Sequence, residues 1–130
     1  MERKWIKNTI PPVGKMVEIK MKWFDEFISV AEELEWRVVL EEDHAEFGKF
    51  SSAGRDFWME VTATSPGKLL EDMRNYIKNY DISAETYLWL DDTGHGKNGA
   101  PYDMKDVYED MESCLNMVEE LYSRLCEIGL

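Results

Sequence analysis

The stretch YLWLDDTGHGKNGAPYDM, Tyr87 to Met104, holds the residues of this chain best suited to chemistry: Asp91, Asp92, His95 and Lys97 among three glycines. Two carboxylates beside an imidazole can hold a divalent metal, or can set a histidine as a general base steered by an aspartate. A zinc site lacks ligands, because His44 is the only other histidine and no cysteine lies nearby. The deaminase pattern, His-x-Glu followed by Pro-Cys-x-x-Cys, is absent. A small metal-dependent hydrolase or nuclease using Asp91, Asp92 and His95 is the alternative reading of this stretch.

Gly94, Gly96 and Gly99 spell GxGxxG, but a dinucleotide loop needs those glycines directly after a strand and inside a βαβ unit. Here they follow two aspartates that would repel a pyrophosphate, and one long helical pattern follows them. A P-loop fails as well, since its first glycine falls on Asp91 and its hydroxyl residue on Asn98. An EF-hand counted from Asp91 places Tyr102 where the bidentate glutamate belongs. No cofactor or metal is therefore expected. The stretch reads as a helix-to-helix connector: glycines allow positive φ, Pro101 fixes the approach to Asp103, and Asp91, Asp92 and His95 are presented rigidly to a partner. Ser51 and Ser52 have no G-x-S-x-G elbow around them, and SSAGR reads as a hairpin turn.

The elements that position these residues follow from periodicity. Trp23, Phe24, Phe27, Ile28, Ala31 and Leu34 recur at three and four, which predicts a helix over 21–35. WRVVLE, EFGKF and DFWMEVTA, separated by turn-rich EDHA and SSAGR, predict three short antiparallel strands. Ser65 as N-cap and Pro66 at the first helical position start a second helix. SAETYLWL predicts a short helix capped by Ser83, with a strand through its aromatic run as the alternative. Met104, Val107, Met111, Cys114, Val118, Leu121, Leu125 and Ile128 form a seven-residue apolar repeat, capped by Asp103 and ended by Gly129. Such a seam must lie on this domain's own sheet and helices, or on a second copy as a dimer. The expected fold is α+β: a helix, a three-stranded antiparallel meander, then two or three helices ending in the long one.

At 130 residues the chain is sized for one domain, with residues 1–20 as a basic N-terminal arm and 21–130 as the α+β body. Apolar residues make up 44%, enough for a packed core. No apolar run approaches the roughly 18 residues that span a bilayer, so a cytoplasmic protein is expected. Cys114 and Cys126 lie about 18 Å apart on one helix, too far to bridge, and read as reduced, buried thiols.

Charge is the feature furthest from average. The chain has 27 acidic and 15 basic residues, net -12. Residues 1–24 carry +4, residues 25–80 carry -7 and residues 81–130 carry -9. Phosphate binding needs clustered Lys and Arg, so the balance argues against a nucleic-acid binder and favours a cationic protein partner. On the last helix Asp106, Glu109, Asp110, Glu112, Glu119 and Glu120 fall on the side away from the seam, with only Lys105 and Arg124 among them. Like charges three and four apart repel by a few tenths of a kcal/mol per pair, a cost that a cationic groove would reverse. Glu32, Glu33 and Glu35, and Glu41, Glu42 and Asp43 at the first hairpin, add to this surface.

FGKFSSAGRDFWMEV together with YLWLDDTGHGKNGAPYDMKDVYEDMESC resembles a set of small acidic, uncharacterised proteins carried by conjugative elements and phages of gut Firmicutes, over roughly residues 45–125. Such elements carry antirestriction and anti-CRISPR proteins. The resemblance therefore implies a non-enzymatic inhibitor of a host-defence nuclease, with type II anti-CRISPR proteins as the first subgroup. Their targets hold a guide heteroduplex in a cationic channel, which an acidic helix imitating nucleic acid can occupy. The basic arm departs from a pure DNA mimic and suits contact with guide RNA.

Overall fold

The computed structural model describes residues 22–128. In chain order these form α1 (Lys22–Glu33), β1 (Arg37–Leu40), β2 (His44–Phe50), β3 (Asp56–Thr62), α2 (Pro66–Asn79), α3 (Ile82–Tyr87) and α4 (Met104–Cys126). The protein is α+β, with the meander in the order β1-β2-β3 and every pairing antiparallel. The expected basic arm and the terminating Gly129 lie outside the described residues.

α1 buries Phe24, Phe27 and Ala31, one face at helical spacing. It stops two residues before the expected end because Glu35 takes a left-handed conformation (φ 69°). Glu35 N then donates to Glu32 O at 3.0 Å and Trp36 N to Ala31 O at 2.9 Å, a Schellman closure built on a glutamate.

The sheet alternates as its sequence predicts. Val38 pairs with Phe47 and Phe47 with Met59, while Leu40 pairs with Ala45 and Ala45 with Val61, so one face is apolar and packed. On the other face Arg37, Gly48 and Trp58 lie side by side. The Arg37 guanidinium sits 4.6 Å from the Phe50 ring centre and 4.8 Å from that of Trp58, and it also pairs with Asp56. A Cβ at Gly48 would come within 2.5 Å of the indole, so glycine is what lets Trp58 lie over the strand.

Ser65 caps α2 as expected, accepting from Lys68 N at 3.1 Å. α3 is a helix, but its cap is Asp81, which accepts from Ala84 N at 3.1 Å, so Ser83 is already helical. Asp103 stands at the cap position of α4, yet its side chain makes no capping bond.

The α4 seam is covered by the chain itself. Val107, Met111, Cys114, Val118, Leu121 and Leu125 are fully buried against α1, α2, α3 and the sheet. The dimer through this seam is thereby corrected: the apolar stripe is spent inside the domain. The cysteine expectation is half corrected, since Cys114 is buried and Cys126 exposed. Among the described residues no helix is long and apolar enough to cross a membrane.

Candidate partner-binding surface

The connector between α3 and α4 is anchored by its apolar start. Trp89 and Leu90 pack on Val107 and Met111 as a small second core. From there the chain folds on itself: Asp91 N donates to His95 O at 2.8 Å, Lys97 N to Trp89 O at 2.9 Å and Gly96 N to Tyr102 O at 2.9 Å. Gly94 and Gly99 supply positive φ angles, and a Cβ on Gly96 would stand 1.8 Å from Pro101 O. The loop is shaped by these close approaches.

Its chemistry turns inward. Asp91 Oδ1 accepts from Thr93 Oγ1 (2.6 Å), Thr93 N (2.8 Å) and His95 N (3.1 Å). Those bonds, the Thr93 hydroxyl first, hold its carboxyl below the ordinary aspartate range. His95 lies flat on Tyr102, ring centres 4.0 Å apart and planes 11° from parallel. Among the described residues no three His, Cys, Asp or Glu side chains come together as a metal site. Asp92 is exposed.

On α4, Asp106, Glu109, Glu112, Glu119 and Glu120 are exposed along the side opposite the seam. The two basic residues of α4 flank this row and are engaged: Lys105 stands 3.8 Å from Glu109, and Arg124 3.2 Å from Glu33 of α1. Asp110 does not belong to this row. It is 1% exposed and accepts from Ala53 N at 2.7 Å and Ser52 Oγ at 3.2 Å, with Arg55 Nε 3.8 Å from its other oxygen. Asp110 lies three residues after Val107 and four before Cys114, hence on the core-facing stripe, where it holds the β2–β3 turn against the helix. Its assignment to the partner-binding row is corrected.

Arg55, also buried, donates to Cys114 Sγ at 2.9 Å. Burial pushes the Cys114 thiol up to about 11, the nearby Arg55 notwithstanding, so this sulfur is no nucleophile near neutral pH. The cluster is a structural clamp.

Glu41, Glu42 and Asp43 are exposed in the β1–β2 turn. Asp43 Oδ1 lies 3.3 Å from His44 Nδ1, and His44 Nε2 lies 3.7 Å from Glu60. The Asp43 bond is the main cause that raises the His44 pKa above its ordinary value.

Sequence reasoning missed a groove. A cleft of about 670 Å³ between β3 and α3 is lined by Arg55, Trp58, Glu60, Tyr76, Glu85 and Trp89, among others. A second hollow of about 500 Å³, sharing Glu60, Tyr76 and Glu85, adds Asp72 and Asp81. Tyr87 and Leu88, 70% and 65% exposed, stand at the cleft. Its walls come from β3, α2, the α3 region and the connector at Lys97, so no local pattern marks it.

No protein-family model, curated protein or solved structure matches the chain.

Proposed function

We propose that the protein is a non-enzymatic binding protein whose acidic surface engages a cationic nucleic-acid-processing protein. The observation that carries this reading is the α4 row: five exposed carboxylates on a 23-residue helix whose opposite face is locked in the core. A rigid helix with its apolar side buried presents charge at fixed spacing without an ordering cost on binding. With five carboxylates against Lys105 and Arg124, the row keeps a net negative sign. Fields of that kind steer association with a positively charged groove.

The sequence resemblance makes the partner concrete: the effector nuclease of a type II CRISPR system, inhibited by occupation of its nucleic-acid channel. The metal-dependent alternative draws no support from the inward-turned Asp91 and the stacked His95.

The test is target-DNA cleavage by purified type II effector nuclease, with the protein added before or after guide RNA. Inhibition by the wild-type chain and its loss in Glu109→Lys/Glu112→Lys/Glu119→Lys supports the reading. Full cleavage in both orders of addition overturns it.

A further inference from the structure

Among the described residues β3 is an edge strand, with no strand paired to its outer side. Three bonds fix which backbone groups point outward. Ala63 N donates to Asp43 O, and Ser51 N donates to Arg55 O, both at 2.8 Å, so the odd-numbered residues of this segment face β2. Thr62 N donates instead to Asp72 Oδ2 of α2 at 2.9 Å, so the even-numbered ones face away. Alternation along an antiparallel strand then turns the N–H and C=O of Trp58 and Glu60 toward the groove. Asp72 caps one end of this edge and leaves its middle open.

The groove beside that edge is acidic at one end, in the second hollow, and mixed in the first cleft. Glu60, Asp72, Asp81 and Glu85 line it, while the bases Arg55 and Lys97 line the first cleft and neither lines the second hollow. Tyr87, exposed at the cleft, is an aromatic surface on which a guanidinium can stack. An unpaired edge gives main-chain affinity for an extended peptide, and the side chains flanking it choose which peptide.

We propose that the free edge of β3 takes an extended, arginine- or lysine-bearing segment of a partner protein as an added strand, held by the Trp58 and Glu60 backbone and by the four acids. This goes beyond the α4 surface and stands independently of it.

The test is amide hydrogen exchange, followed by NMR on the full chain, with a ten-residue capped peptide of alternating Arg and Val as probe. Two control peptides are needed: one N-methylated at every residue, which cannot pair as a strand, and one with Glu for Arg. Glu60→Pro removes the outward N–H, a change edge strands tolerate, and Glu60→Gln removes only the charge. The Arg peptide is expected to slow exchange at the Trp58 and Glu60 amides. N-methylation or Glu60→Pro then weakens binding at least tenfold, and Glu60→Gln weakens it less. Should Glu60→Pro fail to fold by circular dichroism, the N-methylated peptide carries the comparison.

Equal binding of the N-methylated peptide, equal binding of the Glu peptide, or no binding overturns the proposal. So do slow exchange at Trp58 and Glu60 in the free chain, which would mean the edge is already occupied from within, and protection confined to other residues. Glu109→Lys/Glu112→Lys leaves peptide affinity unchanged, so failure here is distinguishable from failure of the α4 reading.

Discussion

Asp110→Ala removes the acceptor of two hydrogen bonds, from Ala53 N at 2.7 Å and Ser52 Oγ at 3.2 Å, and takes a negative charge from beside buried Arg55. A hydrogen bond to a charged acceptor contributes about 1.5–3 kcal/mol, and breaking a buried ion pair costs about 3–5 kcal/mol. Arg55 keeps its contact with Cys114 Sγ and its place over the Phe57 ring, 5.1 Å from the ring centre, and its ion-pair distance of 3.8 Å is long. The lower end of that range applies, about 3 kcal/mol, which in a domain of this size lowers Tm by about 10 °C. Urea unfolding at neutral pH and a thermal scan measure it, with Glu109→Ala as the exposed control expected to change stability by about 0.5 kcal/mol or less. Asp110→Asn, which keeps an acceptor and loses the charge, should fall between. If Asp110→Ala matches the control, Asp110 belongs with the exposed acids and the clamp between the β2–β3 turn and α4 is refuted.

Three further outcomes follow from single residues. Glu35→Gly should stabilise the protein by about 1 kcal/mol in the same urea assay, because a non-glycine residue pays about 1–2 kcal/mol for its left-handed conformation at the end of α1. Iodoacetamide at neutral pH should label Cys126 and spare Cys114 until the chain is unfolded, read by peptide mass spectrometry. Asp72 is held below its ordinary pKa of 3.8, chiefly by its hydrogen bond with Thr62, so its stabilising effect is present above that pH and lost as pH falls through the lower folded value. The stability difference between wild type and Asp72→Asn should accordingly be constant near neutrality and shrink below pH 3.8, measured by urea midpoints across pH.

The elements were legible where one local signal decides them. The three-four stepping of α4, the Ser65-Pro66 start of α2 and the alternation of DFWMEV each encode their own geometry. The ends were less so: Asp81 competes with Ser83 for the same cap two residues apart, and Glu35 closes α1 where no glycine announces a stop. Asp110 was misread because a carboxylate at a core-stripe position is usually solvated, and only the docked β2–β3 turn supplies the donors that let it bury. The Arg37 and Trp58 stacking and the groove beside β3 depend on strand register and on α3 packing across from the sheet, relations between distant segments that no local spacing encodes. The loop from Asp91 to Asp103 was readable as a shaped connector, while its partner-facing use rests on charge alone.

The most direct measurement of the acidic-surface claim is the affinity of the full chain for type II effector nuclease, by surface plasmon resonance, at low and at moderate salt. Wild type should bind, and weaken as salt screens the field. Asp106→Lys/Glu109→Lys/Glu112→Lys, which leaves buried Asp110 in place, should bind at least tenfold more weakly and lose most of that salt dependence. No binding at low salt, or equal binding of wild type and variant, would contradict the proposal that the α4 carboxylates engage a cationic partner.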